Sequence, residues 1–181
     1  KNFKKSHVIR SAKLLHAHNI PVMWYLLLGA PGESAQTVQE TLETVNEAAS
    51  PWDIINIAVG LRVYNGSPIA DEMRRDTPSC TSDNFLHPVH VEPEALSLRE
   101  VKLLTKRMAL TRTNYFMYDE DETYSAFTLW LGANIFRLFA PRHPVWRTHI
   151  VIRTLQAWTG IAWLRRMAFE LKHRRDFEII E

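Results

Sequence analysis

The sequence contains almost no cysteine and no long apolar run. Cys80 is the only cysteine among 181 residues, which excludes a disulfide framework and any metal site held by several thiolates of this chain. The longest uncharged apolar stretch, residues 124 to 136, ends at Arg137 and falls short of the roughly 18 residues that span a bilayer. The first residues also lack the apolar segment of a secretory signal. These absences predict a cytoplasmic protein.

Net charge is close to zero overall, at +2, but the two ends of the chain differ. Residues 1–122 hold thirteen basic and sixteen acidic residues, whereas residues 123–181 hold nine basic and four acidic residues, a net charge of +5. This shift predicts two parts, residues 1–118 and a basic, tryptophan-rich helical extension over residues 119–181. No nucleic-acid-binding motif accompanies the basic residues, so nucleic acid is not a predicted partner.

Helical and strand patterns alternate over the first part of the chain. The spacing predicts a helix that Ser6 caps and that ends at Asn19 in the left-handed conformation. Two apolar runs, residues 22–28 and 54–64, predict parallel strands with both faces covered, and hence an α/β fold. Two parallel strands alone leave open edges. The pattern therefore predicts missing N-terminal strands, supplied before Lys1 or by another chain, and the chain is interpreted as a fragment.

Helical patterns dominate the remainder of the sequence. Ser97 and Glu100 have the spacing of a capping box, which begins a helix predicted to run to about Thr113. Two further helices are predicted over residues 124–139 and 145–172, separated by prolines.

The segment Leu-Leu-Leu-Gly-Ala-Pro-Gly-Glu-Ser, residues 26–34, is a glycine-rich turn from the first strand into a helix. Such a turn lets a ligand approach the backbone, and the helix N-terminus adds free amide groups. No lysine follows, so it is not a phosphate-binding loop of the Gly-x4-Gly-Lys-Ser/Thr type. A tight turn with no ligand explains the pattern equally well.

A second segment, residues 60–70, places polar side chains at the end of the second strand. In parallel barrels, active sites lie at the carboxyl ends of the strands. Arg62 and Tyr64 occupy this position in the sequence. The alternative is that Arg62 is an ordinary surface residue paired with an acid.

Together the two segments resemble the C-terminal half of the radical S-adenosylmethionine barrel, in the branch that often carries a cobalamin-binding domain. That family has a strand ending in Gly-x-Pro-Gly-Glu-Ser/Thr and then a helix with Thr-Val-x-Glu-Thr-Leu, which matches residues 37–42 here. Its next strand ends in Gly-x-Arg-x-Tyr-Pro-Gly-Thr-Pro-Leu-Ala, from which this chain departs at Asn65, Ser67 and Ile69. The resemblance covers roughly residues 1–118.

The resemblance implies the C-terminal portion of a partial (βα)6 TIM-like barrel, followed by an α-helical extension. In the family, the fifth strand and its glycine turn line the adenine of S-adenosylmethionine, which points to Leu27 and Gly29. The end of the sixth strand borders the same cofactor, which points to Val63 and, at the same place, to Arg62 and Tyr64.

The family's [4Fe–4S] cluster is held by a Cys-x3-Cys-x2-Cys loop that this chain does not contain. Cys80 is no substitute, so these residues alone are predicted to be inactive. The resemblance implies that the complete enzyme cleaves S-adenosylmethionine to a 5′-deoxyadenosyl radical, which abstracts hydrogen from an unidentified small-molecule substrate. Cobalamin is a further cofactor that the resemblance allows.

Histidines provide no strong metal motif. His16 and His18 point to different faces of a helix, so a shared metal is not predicted. His87, His90 and Glu92 could converge on a metal or a substrate, but a solvated loop is the favoured interpretation.

The C-terminal region combines tryptophans with arginines, and Val151, Leu155, Trp158 and Ala162 recur at helical spacing. Residues 145–172 could therefore bind a membrane surface or an acidic partner. The favoured interpretation is that these helices pack on the barrel with basic outer faces, in which case Trp158 is buried. A non-catalytic half-barrel module that docks through this region is the alternative to the enzyme.

Overall fold

The structure, a computed structural model, describes residues 4–64, 66–71, 89–91, 93–117, 126–139 and 144–180. Its strands are β1 (Met23–Leu28), β2 (Ile54–Val59), β3 (Leu61–Val63), β4 (Val89–Val91) and β5 (Tyr115–Met117). Its helices are α1 (Lys5–Ala17), α2 (Ala35–Ala48), α3 (Leu98–Ala109), α4 (Ala126–Phe139), α5 (Thr148–Trp158), α6 (Ile161–Lys172) and α7 (Arg174–Ile180). The boundary predicted after residue 118 lies outside the described residues.

The central element is a parallel sheet with the strand order β1–β2–β5. Met23 pairs with Ile54, and Ile55 pairs with Tyr115. The predicted α/β class and the parallel arrangement are confirmed. Within the described residues, β1 pairs on one side only, whereas β2 is paired on both sides. These three strands by themselves do not show a (βα)6 barrel.

The third strand, β5, was missed by the sequence analysis. The helix expected to reach Thr113 ends at Ala109, and β5 begins six residues later, at Tyr115. The Ile55 amide donates to the Asn114 carbonyl at 2.9 Å, and the Arg153 guanidinium donates to the Tyr115 carbonyl. The expectation that every missing strand comes from outside the chain is therefore wrong for this edge of β2.

Helices α2 and α3 cover one face of the sheet. Side chains alternate between the two faces of a strand, so Leu26 and Leu28 of β1 point to the same side. Leu28 and Ile55 of the sheet are buried together with Val38 of α2 and Val101 of α3. This apolar cluster is the main core of the protein.

Among the described residues, the opposite face is covered only at the amino ends of the strands. There, Ile54 and Phe116 are buried against Ile150 of α5. Nearer the carboxyl ends, Tyr25 is 74% exposed and Leu27 is 51% exposed. The prediction that both faces of the first strand are covered is wrong for this half of the sheet, which we call the open face.

The apolar run over residues 54–64 is not one strand, as predicted, but two. Gly60 has a φ of +100°, which ends β2. The next residues form β3, which pairs antiparallel with β4 in a separate two-stranded sheet. β4 lies in a region where the sequence analysis placed a loop.

A buried carboxylate anchors the amino end of the sheet. Asp53 is fully buried, and its Oδ2 atom lies 2.8 Å from His16 Nε2, 3.1 Å from Trp24 Nε1 and 2.9 Å from the Ser50 amide. These bonds join α1, β1 and the turn before β2. Burial lowers the pKa of Arg147, while the negative charge of Asp53 acts in the opposite direction.

Two of the helix ends predicted from local sequence signals are confirmed, and two predictions are wrong. Asn19 has a φ of +54°, as predicted, and Ser97 forms the expected capping box with Glu100. The predicted Ser6 cap is wrong, because α1 begins at Lys5. The long helix predicted over residues 145–172 is interrupted at Gly160, whose φ is +78°.

The capping box at α3 gives a pH-dependent prediction. Hydrogen bonds from the Ser97 hydroxyl and amide to the carboxylate lower the pKa of Glu100. A carboxyl whose pKa is lower in the folded state stabilises the protein above its unfolded pKa, and loses this effect as the pH falls through the folded pKa. We expect Glu100→Gln to lower the urea midpoint at neutral pH and to converge with the wild type in acid. Glu43→Gln, at an exposed site on α2, is the control and should show no such pH-dependent difference.

Candidate functional site

Two glycines meet where β1 and β2 end. The Gly60 amide donates to the Leu28 carbonyl at 2.7 Å. Gly29 has a φ of +89°, and a Cβ atom at this position would lie 2.7 Å from Leu98 Cδ2 and 3.2 Å from Gly60 N. The turn therefore needs glycine for its backbone angle and also for its packing against the first residue of α3.

The backbone amides of the glycine turn already donate to an acceptor within the protein. One carboxylate oxygen of Glu33 accepts from the Gly29 amide at 2.5 Å and from the Ala30 amide at 3.2 Å. At the start of α2, the Ser34 amide donates to the Thr37 hydroxyl, and the Thr37 amide donates to the Ser34 hydroxyl. An anion would have to displace the Glu33 carboxylate, so the geometry does not favour phosphate binding by these amides. These hydrogen bonds instead stabilise the turn at the end of β1.

The open face leads directly to this turn. Tyr25 and Leu27 lie on it in β1, and the register places them opposite Asn56 and Ala58 of β2. The last two side chains are half-buried. This surface offers an apolar floor with one amide group, which suits a flat ring that carries a few polar atoms.

The second predicted segment lies on the antiparallel ribbon rather than at the end of a parallel strand. Arg62 is exposed and its guanidinium lies 5.5 Å from the centre of the Tyr64 ring. Tyr64 is also exposed, whereas Val63 is half-buried. The structure thus brings Gly29 of the first segment into contact with Gly60 of the second segment. Gly60 lies two residues before Arg62 along the chain.

A basic cleft next to Gly60 was missed by the sequence analysis. It encloses about 450 Å³ between β4, α3 and α6. Helical spacing places Arg99, Lys102 and Lys106 on one side of α3, and this signal could have been found in the sequence. The cleft is lined by Val59, His90, Leu98, Arg99, Lys102, Leu103, Lys106, Phe169 and His173.

One acid lies beside this cleft. Asp176 accepts from His173 at 2.9 Å and lies 3.5 Å from Arg99. The hydrogen bond from His173, followed by the positive charge of Arg99, lowers the pKa of Asp176. The cleft therefore keeps an excess of basic groups and suits an anionic ligand.

The described residues contain no group of three or more His, Cys, Asp and Glu side chains that could hold a metal ion. His16 is instead bonded to Asp53, and His90 lies on β4. Cys80, His87 and Glu92 lie outside the described residues, as does Asn65.

Comparison of the chain with protein-family models, with curated proteins and with solved structures finds no match. In the part of the chain that the structure describes, no helix is both long and apolar enough to cross a membrane.

Proposed function

We propose that the chain is the C-terminal portion of a radical S-adenosylmethionine enzyme. The observation that carries this proposal is the pair of motifs at residues 29–34 and 60–70, because the fold brings their first glycines into contact. In the complete enzyme, S-adenosylmethionine and a [4Fe–4S] cluster together would supply a 5′-deoxyadenosyl radical for hydrogen abstraction from the substrate.

The sheet supports an incomplete barrel in two ways. Parallel sheets are normally covered on both faces, and free strand edges are normally protected. Here, among the described residues, β1 has an unpaired edge and its Tyr25 and Leu27 side chains remain exposed. A barrel wall formed by further N-terminal strands would pair with that edge and enclose the open face.

The residues present fit only part of the cofactor set. The apolar side chains of Leu27 and Ala58 would contact the adenine ring, and the turn at Gly29 would form one end of the adenine site. Val63, Arg62 and Tyr64 would lie at the border of that site. A cluster does not fit this chain, because the only cysteine is Cys80. Its ligands would have to come from the rest of the enzyme, and nothing in these residues bears on a cobalamin cofactor.

The coding sequence upstream of Lys1 tests this proposal directly. We expect an in-frame extension that encodes a Cys-x3-Cys-x2-Cys loop. A stop codon followed by a start codon close to Lys1 would contradict the enzyme and favour a non-catalytic half-barrel module.

In the complete protein, Leu27→Asp should weaken S-adenosylmethionine binding by about tenfold or more, because it places a charge against the adenine ring. Equilibrium dialysis with labelled cofactor measures the effect. Leu14→Asp, at an exposed position on α1, is the matched control and should bind normally. Equal binding by both variants would remove Leu27 from the site.

The alternative, a binding module without catalysis, is favoured by one observation. Trp158 is 83% exposed although Ile150 of the same helix packs on the sheet, so the prediction that packing buries Trp158 is wrong. The extension therefore presents a surface of its own.

A further inference from the structure

The outer side of α4 is apolar although it faces away from the protein. Gly132 lies against α5, since a Cβ atom there would come within 2.8 Å of Thr148 Cγ2. On the opposite side, Phe127, Leu131 and Leu138 follow one another at helical spacing and are exposed, Leu138 by 80%. A helix that is apolar on both sides is normally covered on both sides.

Trp130 adds to this outer stripe. It is exposed, and its ring stacks on Phe127 with 6.1 Å between the ring centres. Arg137 is the only charged residue of α4. We call the exposed residues Phe127, Trp130, Leu131 and Leu138 the α4 stripe.

A second stripe lies on α6, which has no buried residue. Trp163, Leu164, Met167 and Leu171 fall on one side of this helix, and all four are exposed, Trp163 by 63%. We call these residues the α6 stripe. Its other side contacts the protein, where Phe169 lines the basic cleft.

The charge around both stripes is strongly positive. Residues 126–172 contain seven Lys and Arg residues but a single acid, Glu170. Of the basic residues, Arg147 is buried, whereas Arg137, Arg165, Arg166 and Lys172 are exposed. With 100° per residue, Arg166 lies at one edge of the α6 stripe, where it pairs with Glu170 at 2.8 Å, whereas Arg165 lies toward the opposite side of the helix. On α4, Arg137 lies beside Trp130 at the edge of the α4 stripe. The Arg137 and Arg166 side chains are exposed and long enough to reach groups beside the apolar stripes.

We propose that the α4 and α6 stripes bind the surface of an anionic lipid bilayer. Apolar side chains that include tryptophan would enter the boundary between headgroups and acyl chains, and the flanking arginines would contact anionic headgroups. The exposed arginines beside the two stripes, Arg137 and Arg166, favour an anionic surface over an uncharged protein face. No described helix can span the bilayer, so the contact is peripheral. The proposal does not depend on the enzymatic function.

Co-sedimentation of the 181-residue chain with vesicles tests this proposal. We expect binding to phosphatidylcholine vesicles that contain phosphatidylglycerol, and at least about tenfold weaker binding to phosphatidylcholine alone. Binding should weaken between about 0.1 M and about 1 M salt, since the screening length falls from about 10 Å to about 3 Å. Brominated lipid should quench tryptophan fluorescence, because Trp130 and Trp163 would contact the acyl chains.

Substitutions at exposed positions separate the docking surface from the fold. Leu138→Glu and Leu171→Glu should each weaken vesicle binding by about tenfold or more, without changing the melting temperature. Ile20→Glu, which alters an exposed apolar side chain after α1, is the matched control and should bind normally. For charge, Arg137→Gln should weaken binding to anionic vesicles, whereas Arg10→Gln on α1 should not.

Three outcomes would overturn the proposal. The first is absence of lipid-dependent pelleting at low salt, and the second is equal binding to neutral and anionic vesicles. The third is a concentration-dependent dimer that Leu138→Glu or Leu171→Glu dissociates while vesicle binding is absent, which would assign the stripes to self-association.

Discussion

Asp53→Ala is expected to destabilise the protein by about 3–5 kcal/mol, because each donor that loses its acceptor at a buried site costs about 1–3 kcal/mol. Asp53 is fully buried, and one of its oxygen atoms accepts hydrogen bonds from His16, Trp24 and the Ser50 amide. Its removal would leave these donors without their acceptor at the amino end of the sheet. Urea denaturation followed by circular dichroism measures the loss.

Asp53→Asn provides the comparison if the alanine variant does not fold. An asparagine retains one oxygen that can accept the three hydrogen bonds, and its amide group can occupy the place of Oδ1, which has no hydrogen-bond partner among the described residues. We therefore expect the asparagine variant to be more stable than the alanine variant by at least about 1 kcal/mol. Equal stability of Asp53→Ala and the wild type would contradict the role of this carboxylate as an anchor.

Gly29→Ala is also expected to have a large effect, about 2–6 kcal/mol. A side chain at a φ of +89° is strained, which contributes about 1–3 kcal/mol. The new methyl group would also lie 2.7 Å from Leu98 Cδ2 and 3.2 Å from the Gly60 amide nitrogen, and such overpacking adds about 1–3 kcal/mol. The Leu98 side chain can rotate, but the Gly60 backbone belongs to the turn that ends β2. Thermal and urea denaturation measure the sum of both effects.

Gly32→Ala separates strain from packing within the same turn. Gly32 has a φ of +77°, but an added Cβ atom would meet nothing within 4 Å. Its substitution should therefore cost only the strain, and Gly29→Ala should exceed it by the packing contribution. Leu98→Ala should reduce the additional cost of Gly29→Ala in a double-mutant cycle. If Gly29→Ala and Gly32→Ala have equal effects, the close approach to Leu98 is not important for stability.

Features that depend only on neighbouring residues could be predicted from the sequence alone. The apolar run before Gly29 predicted β1, and the strand-to-helix turn was recognised from its glycines and proline. Ser97 and Glu100 predicted the start of α3, because a capping box uses only the backbone and side chains of one helical turn. The left-handed Asn19 was correct for the same reason. These signals need no distant partner, and they include Leu27 and Gly29 of the candidate site.

Other features depended on residues that are far apart in the sequence. The strand at Leu61–Val63 separates from β2 because it pairs with Val89–Val91, and β5 is too short, at three residues, to show a period in the sequence. The basic cleft exists only because α3, β4 and α6 meet.

Burial was the property that the tertiary structure alone decided. A charged residue in a turn is normally exposed, yet Asp53 is buried because α1 and β1 bring His16 and Trp24 to its carboxylate. In contrast, Trp158 belongs to an apolar stripe of the kind that usually packs inward, but it remains at the surface. Periodicity shows which residues share a face of a helix. Only the packing of the other elements decides whether that face meets the protein or remains free to bind a partner.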